Sequence, residues 1–115
     1  MIAFLDASAL IYLVDGEAPW AKAVRAILQQ LALQATDLAL AVSRLSLLEC
    51  RVAPLQRGDQ ASLDRFAALF VQPHLFVVEL SASVVELATQ LRANDGLRTP
   101  DALQAACCLQ LGLMP

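Results

Sequence analysis

Short apolar runs alternate along the chain with longer stretches in which apolar residues recur every three or four positions. Ile2 to Leu5 is the first such run and ends at Asp6. Its brevity, with one β-branched and one aromatic residue, predicts a buried strand. Ser8 to Val14 predicts one or two helical turns, stopped by Asp15-Gly16. A longer helix is predicted from Pro19 to about Gln34, with Pro19 at its first position and Trp20, Val24, Ile27, Leu28 and Leu31 as its buried stripe. Leu38 to Val42 is a second strand, and Ser43 suits the cap of the helix after it. In that helix Leu45, Leu48 and Val52 share one face, while Ser46 and Glu49 lie three apart on another.

Arg57-Gly58-Asp59 predicts a turn, followed by a helix over 62–71 that turns Leu63, Phe66, Ala67 and Phe70 inward. Pro73 ends it, and Phe76 to Leu80 reads as the third strand. Ser81 or Ser83 opens the next helix, with Ser83 and Glu86 at capping-box spacing. Val84, Leu87, Ala88 and Leu91 form its core face, and Asn94-Asp95-Gly96 closes it. Thr99 as cap and Pro100 as first residue open a last helix running to about Leu111, with Gly112 at its end. The order is β-α-α-β-α-α-β-α-α. Short apolar strands joined by helical crossovers predict an α/β fold of three layers, α/β/α, around a parallel sheet. The first strand is placed at the centre of that sheet.

Composition narrows the class. The 115 residues suit one domain, 1–115, and 58% hydrophobic against 17% charged residues excludes disorder. So little charge also predicts apolar surface for a partner. The formal charge of −3 rules out a global cationic field for nucleic acid, but not a carboxylate site in which a bound cation reverses the local potential. Cys50, Cys107 and Cys108 lack metal or disulfide spacing and read as reduced thiols of a cytoplasmic protein. No basic leader precedes Asp6, and no apolar stretch is long enough to cross a membrane, so neither export nor membrane insertion is expected.

Candidate chemistry gathers at the carboxyl ends of the strands, where parallel sheets bind ligands. Asp6 follows the first strand. Glu49 sits about two turns into the helix after the second, and Asp101 in the first turn of the last helix. Each acid alone has an ordinary reading: a charge favoured by a helix N-terminus for Asp101, a solvent-facing helix residue for Glu49. Together, right-handed crossovers bring them to one edge. Three such oxygen ligands suit Mg²⁺ or Mn²⁺ and, with them, phosphate chemistry. Arg44, Arg51 and Arg98, with Arg92, are candidate phosphate contacts. His74 is the lone histidine, and there is no phosphate-binding glycine loop.

Taken with their surroundings, these acids resemble the motifs of the PIN-domain family, in particular its VapC-like toxins. Phe4-Leu5-Asp6-Ala7-Ser8-Ala9-Leu10-Ile11 is similar to that family's opening, Ser46-Leu47-Leu48-Glu49 to its second motif, and Leu97 to Ala106 to its third. The resemblance implies a Mg²⁺- or Mn²⁺-dependent endoribonuclease, the toxin of a toxin–antitoxin module. Asp6, Glu49 and Asp101 would be metal ligands and catalytic residues, supported by Ser8, Ser46 and Thr99. It further implies a homodimer and a small antitoxin, with Tyr12, Leu13 and Trp20 as candidate interface residues. The alternative is a catalytically impaired PIN-like protein that only binds antitoxin or RNA. The family pattern continues into a further strand and a Thr-Asn-Asp-like acidic segment. Here the chain reads Leu109-Gln110-Leu111-Gly112-Leu113-Met114-Pro115, which implies a sheet lacking that last strand and a site short of one acid.

Overall fold

The structure, a computed structural model, describes residues 2–15, 20–34 and 38–112. Its elements are β1 (Ile2–Phe4), α1 (Ala7–Val14), α2 (Trp20–Gln34), β2 (Ala39–Ser43), α3 (Arg44–Gln56), α4 (Gln60–Phe70), β3 (Leu75–Val78), α5 (Ala82–Asp95) and α6 (Thr99–Gly112). This is the expected order. Pro19 lies outside the described residues, as do the side chains of Trp20 and Val24.

The three strands are parallel, in the order β1-β2-β3. Ala3 is in register with Leu40, and Ala41 with Phe76. The middle strand is therefore β2, not β1 as the sequence predicts. Each crossover steps one strand in the same direction, which leaves β1 at an edge among the described residues. Right-handed crossovers that keep stepping in one direction stay on one face of the sheet. Accordingly α1, α3 and α4 pack on one side, where Leu10, Val42, Cys50, Phe66 and Phe70 form a buried cluster. Past β3 the chain returns over the opposite face. There α5 and α6 enclose Val78, Val84, Ala88, Ala102, Ala106 and Cys107. Strand residues alternate between the layers, Val77 joining the first cluster and Val78 the second, as a pleated strand requires.

Local chemistry explains most boundaries. Asp6, Ser43, Asp59 and Ser81 are N-caps whose side chains accept from the backbone N–H three residues on. Because Ser81 already caps α5, the expected Ser83–Glu86 box does not open that helix. Asp59 starts α4 at Gln60, two residues before the predicted start. Helix α6 includes Thr99 from its first turn, since the Ala102 N–H bonds the Arg98 carbonyl at 2.8 Å. The Thr99 hydroxyl instead accepts from Arg92 at 2.7 Å. Gly96 ends α5 at φ +68°, a left-handed conformation that favours glycine.

Three helices show burial that their spacing does not report. On α2, Leu28 and Leu31 are half-buried but Ile27 is 61% exposed, because α2 packs mainly on α1 with no further layer over it. On α3 the face turned to the core carries Ser46, Cys50 and Pro54, and the apolar face with Leu48 and Val52 looks outward. Ala67 of α4 is likewise exposed.

Candidate active site

The inward polar face of α3 marks the chemistry. Asp6 leaves β1 in extended conformation, anchored by the 2.9 Å bond from the Leu5 N–H to the Ala41 carbonyl. Its Oδ1 accepts from the Ala9 N–H at 2.9 Å, so capping α1 fixes the carboxylate at the carboxyl edge of the sheet. The side chain is exposed rather than part-buried, and the cap is the partner that holds it. Glu49 comes from the second turn of α3 and Asp101 from the first turn of α6, where the helix N-terminus favours a negative charge.

Asp6, Ser8, Glu49, Pro100, Asp101 and Gln104, with Ala7, line one cavity of about 290 Å³. Three acids separated by up to 95 positions thus share a single pocket. Gln104 stitches it together. Its Nε2 donates to Glu49 Oε1 at 3.1 Å and to Ser46 Oγ at 2.9 Å, joining α6 to α3. Ser46 is fully buried and reaches Glu49 through that amide. Thr99 is engaged by Arg92 rather than by the acids.

The arginines expected to touch phosphate lie apart from this pocket's lining. Arg44 forms a bidentate pair with Glu79, and their hydrogen bonds raise the guanidinium's pKa and lower that of the Glu79 carboxyl. Arg51 donates to the Leu47 carbonyl at 3.3 Å on the other side of α3, and Arg98 is exposed. Arg65 and Arg57 instead converge on Asp15 at the end of α1.

A neighbouring thiol senses the site's charge. Cys50 is buried beside Glu49, and its pKa is pushed up to about 12, first by burial and then by the negative charges of Glu49, Asp15 and Asp6. Cys50, Cys107 and Cys108 are all free thiols.

The pocket offers oxygen donors throughout: three carboxylates, the Ser8 hydroxyl and an amide. Among the described residues, no group of three or more His, Cys, Asp and Glu side chains stands close enough to hold a metal ion. By donor type alone, carboxylate, hydroxyl and amide oxygens suit a hard cation such as Mg²⁺ or Mn²⁺.

The sequence reading did not assign Gln104 a role. Its signal was present: it lies one turn after Asp101, as Glu49 lies three residues after Ser46, so the two pairs form matching faces of two helices.

A three-layer α/β/α sheet with a carboxylate-lined pocket at its carboxyl edge defines the class of protein. Residues 3–114 match the model of the PIN domain, and the chain belongs to the PIN-domain family. Its fold is similar to that of a chain in the crystal structure of VapBC2 from Rickettsia felis bound to a DNA fragment from their promoter. The TM-score is 0.69 at 19% identity, over 93% of this chain and 79% of that one. No curated protein matches the chain.

Proposed function

We propose that this chain is a divalent-metal-dependent endoribonuclease, the toxin of a toxin–antitoxin module, with Asp6, Glu49 and Asp101 as catalytic carboxylates and metal ligands. The observation that carries the reading is the single pocket these three acids line from three separate elements. Membership of the PIN-domain family agrees with it. When bound, a Mg²⁺ or Mn²⁺ ion would orient the scissile phosphate and acidify an attacking water. The chain's own residues supply the frame. Asp6 lines the pocket with Oδ1 held by the Ala9 N–H, and Glu49 is held by Gln104. Ser8 lines the wall, and Asp101 stands in the first turn of α6.

The proposed partners are RNA, a second copy of this chain and a small basic-tailed antitoxin. An Arg or Lys from that antitoxin would neutralise the carboxylates in the absence of metal. A cytoplasmic location belongs to the same reading. No helix among the described residues is long and apolar enough to cross a membrane.

A second reading, a PIN-domain protein that binds without cutting, is favoured by the lack of a tight ligand cluster among the described residues. Incubation of a structured RNA with Mn²⁺ separates the two. Cleavage by the wild type, lost in Asp6→Asn with an unchanged circular dichroism spectrum, is the expected result. No cleavage with either Mg²⁺ or Mn²⁺, from folded protein, leaves the binding reading.

A further inference from the structure

We infer that Gln104 is the positioning residue of this site, an amide on α6 that fixes the orientation of Glu49 on α3 for cation binding. The inference rests on the reading of the pocket as a divalent-cation site.

Gln104 Nε2 donates to Glu49 Oε1 at 3.1 Å and to Ser46 Oγ at 2.9 Å, while the amide Oε1 is buried without any hydrogen-bond partner among the described residues. Buried acceptors are nearly always paired, so an amide left this way is held by something stronger on its other side. Exchanging the two ends of the amide would set its oxygen against the Glu49 carboxylate, two acceptors facing one another. The carboxylate therefore dictates the orientation, and the amide oxygen goes unsatisfied.

Ser46 completes the device. Its hydroxyl is fully buried, lies 3.4 Å from the Ser43 hydroxyl, and accepts from the same Nε2. Ser43 in turn caps α3 through the Ser46 N–H. The amide is thus braced against the N-terminal turn of the helix that carries Glu49. Among the described residues Glu49 has no other side-chain hydrogen bond, and the span is 55 residues along the chain. A glutamate on an unbraced helix turn would sample several rotamers, and each cation bound would have to order it.

The test is Mn²⁺ binding followed by electron paramagnetic resonance and calorimetry, which needs no RNA. Wild type, Gln104→Met, Glu49→Gln and the double variant are compared, with folding checked by circular dichroism. Gln104→Met keeps length and removes the donor; Gln104→Leu is a second form should Met not fold. The expected result is a loss of affinity of about 10- to 100-fold for Gln104→Met, the range typical when a ligand loses its outer partner. Because Gln104 acts through Glu49, the double variant should bind no more weakly than Glu49→Gln alone. Unchanged affinity in Gln104→Met, or additive losses in the double variant, overturns the inference while the wild type still binds. A folded wild type that binds no Mn²⁺ overturns the cation site itself, and this inference with it.

Discussion

Cys50 shows at the residue level how the carboxylate edge reaches beyond its own chemistry. Its thiol, buried and beside three acids, stays protonated up to about pH 12, whereas an unfolded cysteine ionises near the ordinary value of 9.0. The folded state thus holds its proton longer. The resulting stability is complete below the unfolded value and is lost as pH rises through the folded one, between about 9 and 12. Denaturant unfolding at stepped alkaline pH should show that decline, and Cys50→Ala should reduce its slope. At pH 8 a thiol reagent should modify Cys108 of the native protein quickly, and Cys50 and Cys107 only on unfolding, since just the first is exposed. Mass spectrometry of the labelled peptides checks the order. The apolar run of the sequence holds Cys107 and Cys108, of which only Cys107 is buried, while Cys50 is buried although Glu49 and Arg51 flank it. The acidic surroundings of Cys50 were not legible there, since Asp6 and Asp15 lie more than thirty positions away.

Caps and stops at the element level carry signals of one or a few residues: Ser43 and Gly96 stand where the sequence predicts, whereas Asp6 and Asp59 cap helices without being predicted to and Thr99 lies inside α6. Ser43 is buried and caps α3, so Ser43→Ala should cost about 1 kcal/mol in denaturant unfolding. Gly96 stands at φ +68° with nothing within 4 Å of the place a Cβ would take. Gly96→Ala should then cost about 1–2 kcal/mol purely through backbone conformation, with Gly112→Ala close to neutral by the same measurement. Which helix face meets the core was harder to read. Phe66 of α4 is buried, and Phe66→Ala should cost about 3–5 kcal/mol. Leu55 of α3 is 69% exposed, and Leu55→Gln should change stability by less than about 0.5 kcal/mol. The shared spacing of Leu48 and Val52 on α3 marks a face without saying that it looks outward, as it does together with Leu55.

The whole molecule leaves apolar surface uncovered. Leu33 on α2 is 86% exposed and Leu48 on α3 is 56% exposed. Exposed apolar patches of this kind mark interfaces. The Cα radius of gyration, 14.9 Å, exceeds the roughly 13 Å usual for a compact domain of this length. As part of the proposed assembly, light scattering at low micromolar concentration should give twice the 12.3 kDa chain mass. A monomer at that concentration would count against the second copy.

The alternation of short apolar strands with helices, their order and the Ser43 cap followed from the sequence by itself, because periodicity and capping are set by neighbours three or four residues apart. The three acids were also legible there, each by its own motif. Their sharing of one pocket, the amide of Gln104 between Glu49 and Ser46, and the place of β2 rather than β1 in the middle of the sheet were decided only by the tertiary structure. Those features depend on which way each crossover steps and on how α6 returns across the sheet to face α3. Contacts between elements fifty or more residues apart leave no local trace in either partner's pattern. The outward face of α3 belongs with them, since hydrophobicity reports that a surface seeks cover and not whether the cover is the chain's own core.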